Sequence, residues 1–325
     1  MTDTTQPDAE PRLAHFPVTF FATVMGLAGL TLALHLAETR FGWGHMASRV
    51  ALAATVADFL LVALLFMVKA VRHPQAVKGE WAHPVKLAFF PAISISLLLI
   101  ATAMRAELPQ TAGVVWAVGT AAQGVLTLAV ISGWIGRRPF QPMHISPAWF
   151  IPAVGNVVVP VAGVPLGFVE LSWLFFSVGL IFWIVLLTLV MNRLIFHDPL
   201  PGRLLPTLVI LIAPPAVAFL AWMQLNGGVL DPFARVLYYA GIAFAAIVAV
   251  QAAGFARLTF ALSWWALSFP VAALTISTLR YAELAQSTGH DLMGGAFLAL
   301  LIAIVSGLVL RTLKAAFRGE ICQPE

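Results

Sequence analysis

The chain has 325 residues and a formal net charge of +4, with 61% hydrophobic and only 10% charged side chains. That balance excludes a soluble globular protein, which has neither the core volume to hide so much apolar surface nor a surface so poor in charge. The 18 Lys and Arg residues fall between apolar stretches instead of on one basic face, so the positive charge reads as membrane topology and not as nucleic-acid binding.

In chain order, residues 1–14 read as a short cytoplasmic tail, polar through Pro11 and followed by an apolar stretch with no small-residue cleavage site, so the first helix is expected to be retained. About 20 apolar residues cross a bilayer core. Division at charged and Pro/Gly-rich breaks predicts ten spans: 16–36, 48–70, 86–104, 112–135, 147–163, 168–192, 205–223, 233–254, 256–280 and 291–313, the fifth being the shortest. Together they make one membrane domain, 15–316, followed by a second short tail, 317–325. Arg12, Lys69, Arg72, Lys78, Lys86, Arg137, Arg138, Arg193, Arg203, Arg257, Arg311, Lys314 and Arg318 lie on one side of this division. Arg40, Arg49, Arg105, Arg235 and Arg280 lie on the other. The bias places both termini in the cytoplasm, most naturally of a bacterial-type inner (plasma) membrane.

Prolines punctuate only the odd-numbered spans: Pro17, Pro91, Pro152 with Pro160, Pro214 with Pro215, and Pro270. A proline removes a backbone hydrogen bond and bends its helix, leaving a carbonyl that lipid cannot satisfy. The expected fold is therefore all-α: five repeated helical hairpins, with proline-kinked odd helices forming an inner pore ring and even helices outside against the lipid. The alternative is that the prolines only shape packing.

Polar residues on the odd spans are mild. Thr19, Ser94, Asn156 and Ser268 are the candidates for lining a pore, and each reads equally as a bridge between helices. No odd span has a midplane carboxylate, which favours small anions or neutral solutes over cations or a proton relay. Asp58, inside the second span, reads as a structural group or as a proton-coupling one. Glu38, Glu170 and Glu283 sit near span ends, where interfacial solvation is expected. Phe269, immediately before Pro270, reads either as packing or as a ring that closes a narrow pore by excluding water.

No HExxH spacing, phosphate loop or dinucleotide fingerprint occurs, His197-Asp198 and His290-Asp291 are only adjacent pairs, and Cys322 stands alone. No enzyme activity, cofactor or metal site is expected.

The ninth-span stretch Ser263-Trp264-Trp265-Ala266-Leu267-Ser268-Phe269-Pro270, continuing to Thr278-Leu279-Arg280-Tyr281-Ala282, resembles the tellurite-resistance and C4-dicarboxylate transporter family. That family includes the TehA type and the plant slow-type anion channels. His15-Phe16-Pro17-Val18-Thr19-Phe20-Phe21 and Pro152-Ala153-Val154-Gly155-Asn156 support the resemblance, which runs from Phe16 to Phe317. The resemblance implies a homotrimer with one pore per subunit, passage of small monovalent anions and a pore-blocking phenylalanine matching Phe269. The sequence departs from the plant members in its tails, which are too short to hold their long regulatory termini, so kinase control of that kind is not expected. The expectation is a passive gated anion channel. The rivals are a proton-coupled carrier of C4-dicarboxylates or oxyanions such as tellurite, and a membrane scaffold without transport.

Overall fold

The computed structural model describes residues 12–136, 140–255 and 258–323. Arg137, Arg138, Arg257 and most of the predicted 1–14 tail lie outside the described residues. All regular structure among the described residues is helical, and nine helices are long and apolar enough to cross a membrane. The predicted fifth span, Pro147–Gly163, is shorter and broken into pieces.

The helices are α1 (Phe21–Phe41), α2 (Met46–Arg72), α3 (Pro74–Ala82), α4 (Ala92–Met104), α5 (Pro109–Gly136), α6 (Phe150–Val154), α7 (Val159–Gly163), α8 (Val169–Phe196), α9 (Ala213–Leu225), α10 (Pro232–Phe255), α11 (Ser268–Ala285) and α12 (Thr288–Phe317). Two populations separate. The spans containing α1, α4, α9 and α11 are 61–83% buried, whereas α2, α5, α8, α10 and α12 are 11–33% buried. The second group shows lipid-type side chains to the outside, such as Leu64, Val125, Ile181, Val250 and Leu310. It carries proline only at its first position, Pro109 in α5 and Pro232 in α10, where the missing N–H has no intrahelical partner to lose. Its helices also run longer than predicted, because a basic side chain near a helix end reaches the interface without ending the helix.

Every proline-bearing span changes helix type along its length. Tight 3-10 turns at Val18–Phe20, Lys86–Phe89, Pro147–Trp149 with Gly155–Val158, Gly202–Ile212 and Leu262–Leu267 each give way to an α-helix. The ninth span thus begins at Leu262, six residues later than predicted. α1 packs on α4 and α11, α4 on the broken fifth segment, that segment on α9, and α9 on α11. Close approach of α1 and α11 depends on Gly26, where a Cβ would stand 2.3 Å from Ser268 Oγ.

Two local features depart from expectation. The stretch after α2, taken from sequence as a loop, contains α3, too short and too polar to register as a span. Its Glu80 reaches Lys69, which the charge pattern placed in a solvated connection. Both are buried, Lys69 1% exposed, with Nζ 3.1 Å from Glu80 Oε1. Lys69 also donates to the Phe16 carbonyl at 2.8 Å, and Glu80 Oε2 accepts the Val18 N–H at 3.3 Å. The pair therefore satisfies the backbone on both sides of Pro17.

Removing one member of a buried ion pair costs about 3–5 kcal/mol because the other is left charged and unpaired. Lys69→Met is expected to lower detergent-state stability by about that much in denaturant unfolding, with Lys69→Met/Glu80→Leu recovering part of it. Asp231 supplies a pH-dependent contact at the other end of the fold. Its carboxylate accepts the Ala234 N–H at 2.7 Å at the start of α10 and the Trp222 indole N–H at 3.1 Å. The Ala234 N–H foremost holds this carboxyl below its ordinary range. A depressed folded-state pKa stabilises above the unfolded value and is lost as pH falls through the folded one. The stability difference between wild type and Asp231→Asn should therefore shrink as pH falls below about 4, the ordinary aspartate value, in thermal melts across pH.

Candidate pore

A cavity of about 70 Å³ lies among the proline-bearing spans, and all five of them line it. Met25 comes from α1 and Phe89 from the turn before α4. Val154 is from the fifth segment, Pro214 from α9, and Phe269 and Pro270 from α11. Every lining side chain is apolar except for the indole N–H of Trp265, which is engaged by Thr312 at 2.9 Å. Phe269 is half-buried and faces Gly29 across the α1–α11 contact, where a Cβ would lie 3.5 Å from the ring. Its apolar lining offers a water almost no hydrogen-bond partner, so the surface disfavours water.

Thr19, Ser94, Asn156 and Ser268 do not line this cavity. Thr19 lies half-buried in the Val18–Phe20 turn. The other three are buried and hydrogen-bonded where their spans break. Ser94 donates to the Pro91 carbonyl at 2.9 Å or to Gln123 at 2.7 Å, and Asn156 donates to the Ala153 carbonyl at 2.6 Å. Ser268 donates to the Trp265 carbonyl at 2.6 Å. Thr23 to Phe20 and Thr207 to Leu204 repeat the same i to i−3 contact, so each of the five spans has one. Thr127 and Gln123, on α5, add donors to the Pro152 carbonyl at 2.8 and 3.2 Å. Sequence reasoning passed over these two because they sit on an even-numbered span.

This arrangement of five broken spans around a small apolar cavity can be compared with known proteins. The sequence model of a family described as voltage-dependent anion channel, SLAC1, matches residues 15–313. The chain belongs to that family. It is 30% identical to the S-type anion channel SLAH3 of Arabidopsis thaliana over 269 residues, 81% of this chain and 42% of the plant protein. It is 24% identical to the guard cell S-type anion channel SLAC1 of the same plant, over 97% of this chain and 58% of that protein. A tellurite resistance protein TehA homolog of Haemophilus influenzae is 26% identical, over 94% of this chain and 92% of its own length. The chain spans about half the length of the plant channels it matches.

Asp58 on α2 is half-buried and turned toward α1, with Oδ2 2.6 Å from Thr23 Oγ1. Thr23 is also within 2.8 Å of the Phe20 carbonyl. A hydroxyl carries one hydrogen, so Thr23 serves both acceptors only when the Asp58 carboxyl brings a hydrogen of its own. Glu38, expected to be solvated, is instead 3% exposed and accepts the N–H groups of Ala47 and Ser48 at the start of α2, at 2.9 and 3.1 Å. Glu170 is exposed, and Glu283 pairs with Arg280 at 2.6 Å near the surface.

The Trp265 carbonyl also accepts the Ser268 backbone N–H, so Ser268→Ala removes one of its two donors, and a net hydrogen bond contributes about 0.5–1.5 kcal/mol. Detergent unfolding should show a loss in that range, while Ser132→Ala, on the exposed face of α5, stays within about 0.5 kcal/mol of wild type.

Proposed function

We propose that this chain lets small anions cross a membrane passively, through a path enclosed by the five proline-bearing spans and closed in this conformation by Phe269. The carrying observation is the cavity to which all five spans contribute and in which Phe269 lies beside Pro270. Ten membrane segments, arranged as five hairpins with the broken helices inside, are the architecture this reading takes. The strong burial of those spans and their sequence of mutual contacts support it.

On this reading the present conformation is a closed one, which the apolar lining of the cavity supports. Moving an unpaired ion into an apolar medium has an idealised cost of order 20 kcal/mol, far beyond thermal reach, so conduction requires the ring to move and water to enter. The absence of carboxylates from the cavity lining suits an anion. The named activities of the plant relatives, S-type anion channels, support the same class. The prolines at Pro17, Pro91, Pro152, Pro214 and Pro270 then serve as kinks that bring backbone and small side chains to the path. The same reading places the protein in the inner (plasma) membrane as a homotrimer, with lipid around it and both termini in the cytoplasm, the side to which the excess of Lys and Arg points.

A second reading rests on Asp58. A half-buried carboxyl hydrogen-bonded to the break in the first span is suited to coupling a proton to movement of that span. A proton-linked carrier of dicarboxylates or oxyanions would use it, and saturable, pH-gradient-dependent uptake lost in Asp58→Asn would favour that reading.

Ionic current through the purified protein in planar bilayers under a chloride gradient separates them. Phe269→Ala is expected to conduct at least tenfold more than wild type, with a reversal potential that follows the anion gradient. Silence from both proteins, or a reversal potential that follows cations, overturns the channel reading.

A further inference from the structure

At the end of α1 opposite the Lys69–Glu80 pair, three metal-ligating side chains come together. His35 and Glu38 are three residues apart, so they share one face of the helix. The helix ends at Gly42, whose left-handed backbone (φ +70°) is one that glycine adopts without strain, and the chain turns back. That reversal brings His45, the residue just before α2, over the same face. One nitrogen from each histidine and one Glu38 oxygen all lie within 4.8 Å of one another. The two imidazole rings are 4.9 Å apart between centroids.

Glu38 is what distinguishes this cluster from a chance meeting of polar side chains. The residue is 3% exposed, and its two oxygens have different surroundings. Oε1 takes the N–H groups of Ala47 and Ser48 and thereby fixes the carboxylate. Oε2 is buried with no hydrogen-bond partner, and its nearest charge-bearing neighbour is His45 Nδ1 at 3.6 Å. A buried carboxylate oxygen left unpaired is costly, and a cation bound between it and the two histidines removes that cost.

We propose that His35, Glu38 and His45 bind one divalent transition-metal ion of the zinc class, with a fourth position open to water or a small anion. Two imidazoles and one carboxylate match zinc, copper or nickel and disfavour magnesium and calcium, which take oxygen ligands. With metal–ligand bonds of about 2.0–2.1 Å, tetrahedral ligand atoms stand about 3.4 Å apart. The Glu38–His45 separation of 3.6 Å nearly fits, and the widest separation, up to 4.8 Å, has about 1.4 Å to close, which side-chain rotation of the 41% exposed His45 can help supply. The backbone N–H bonds to Oε1 orient the ligating carboxylate, as outer contacts do in metal sites. Bound there, the ion fastens the last turn of α1 to the segment that starts α2. The HExxH spacing sought in the sequence misses this set, because its ligands follow the pattern His-x-x-Glu and then a third residue returned by a glycine turn.

The test uses the full-length protein in detergent, free of any affinity tag, titrated calorimetrically with zinc chloride and followed by visible absorption with cobalt(II). Wild type is expected to bind one zinc per chain and to give the absorption of four-coordinate cobalt, with no comparable heat from magnesium. His45→Ala should weaken zinc binding by about 100-fold or more, since even outer-contact changes in metal sites cost 10–100-fold. Glu38→Gln should do the same while keeping an oxygen to accept from Ala47 and Ser48, so lost binding in a variant that unfolds like metal-free wild type is not a folding defect. His197→Ala, on an exposed residue remote from the cluster, should bind as wild type does. The proposal is overturned if wild type takes up no zinc at micromolar concentrations, or if His45→Ala and Glu38→Gln bind it with unchanged stoichiometry and affinity.

Discussion

Backbone groups that a helix break frees inside an apolar medium must find partners within the protein, and this requirement organises the molecule around its prolines. Each inner span passes from a 3-10 turn to an α-helix, and at that passage the regular ladder of hydrogen bonds is interrupted. Lipid offers no donors, so side chains join backbone N–H groups at these carbonyls, as Ser94 joins the Ile95 N–H at the Pro91 carbonyl. Within the broken span the donor comes three residues on, as Ser268 does for Trp265. Across the interface it comes from the neighbouring helix, as Thr127 does for Pro152. At Pro17 the demand is met by an ion pair, Lys69 and Glu80. The cost of burying that pair is offset because each member also satisfies backbone, which an apolar replacement cannot do.

That constraint explains what was legible in the sequence. Proline acts on the backbone whatever surrounds it, so its confinement to alternate spans predicts which helices must be covered, and the burial of α1, α4, α9 and α11 follows the same division. Charge shows in sequence where spans end, but not whether a given charge is solvated. Lys69 looked like a loop cation because its partner Glu80 sits on α3, which is too short to leave a hydropathy signal. Glu38 looked interfacial because the N–H groups it accepts belong to a helix that starts nine residues later.

The polar residues of the inner spans were the least legible, for a geometric reason. A serine near a proline has the same sequence signature whether its hydroxyl points into a lumen or back to its own helix. Ser94, Asn156 and Ser268 point to backbone, and the surface they leave toward the cavity is made of Val154, Pro214, Phe269 and their apolar neighbours. The polar groups of the breaks thus serve the backbone and leave the cavity surface to apolar side chains.

The first span carries one further consequence of the same requirement. Its break is served by Thr23, and Thr23 has a second acceptor in Asp58, a residue of the less buried α2. With the carboxyl protonated, its hydrogen goes to Thr23, and Thr23 gives its own to the Phe20 carbonyl. Both acceptors are then satisfied. With the carboxyl ionised, one hydrogen is left for two acceptors, and the charged one takes the stronger bond. Phe20 then loses its side-chain partner at the point where the 3-10 turn becomes α1. Among the described residues no carboxyl shares the hydroxyl or amide that serves another break, as Ser268 illustrates: its one hydrogen goes to the Trp265 carbonyl, and it packs against Gly26, which offers no acceptor in its side chain. The break nearest Pro17 thus differs from the others in sharing its donor with a carboxyl, and the span that holds it is also the one that meets α11 closely, where Gly29 lies against Phe269.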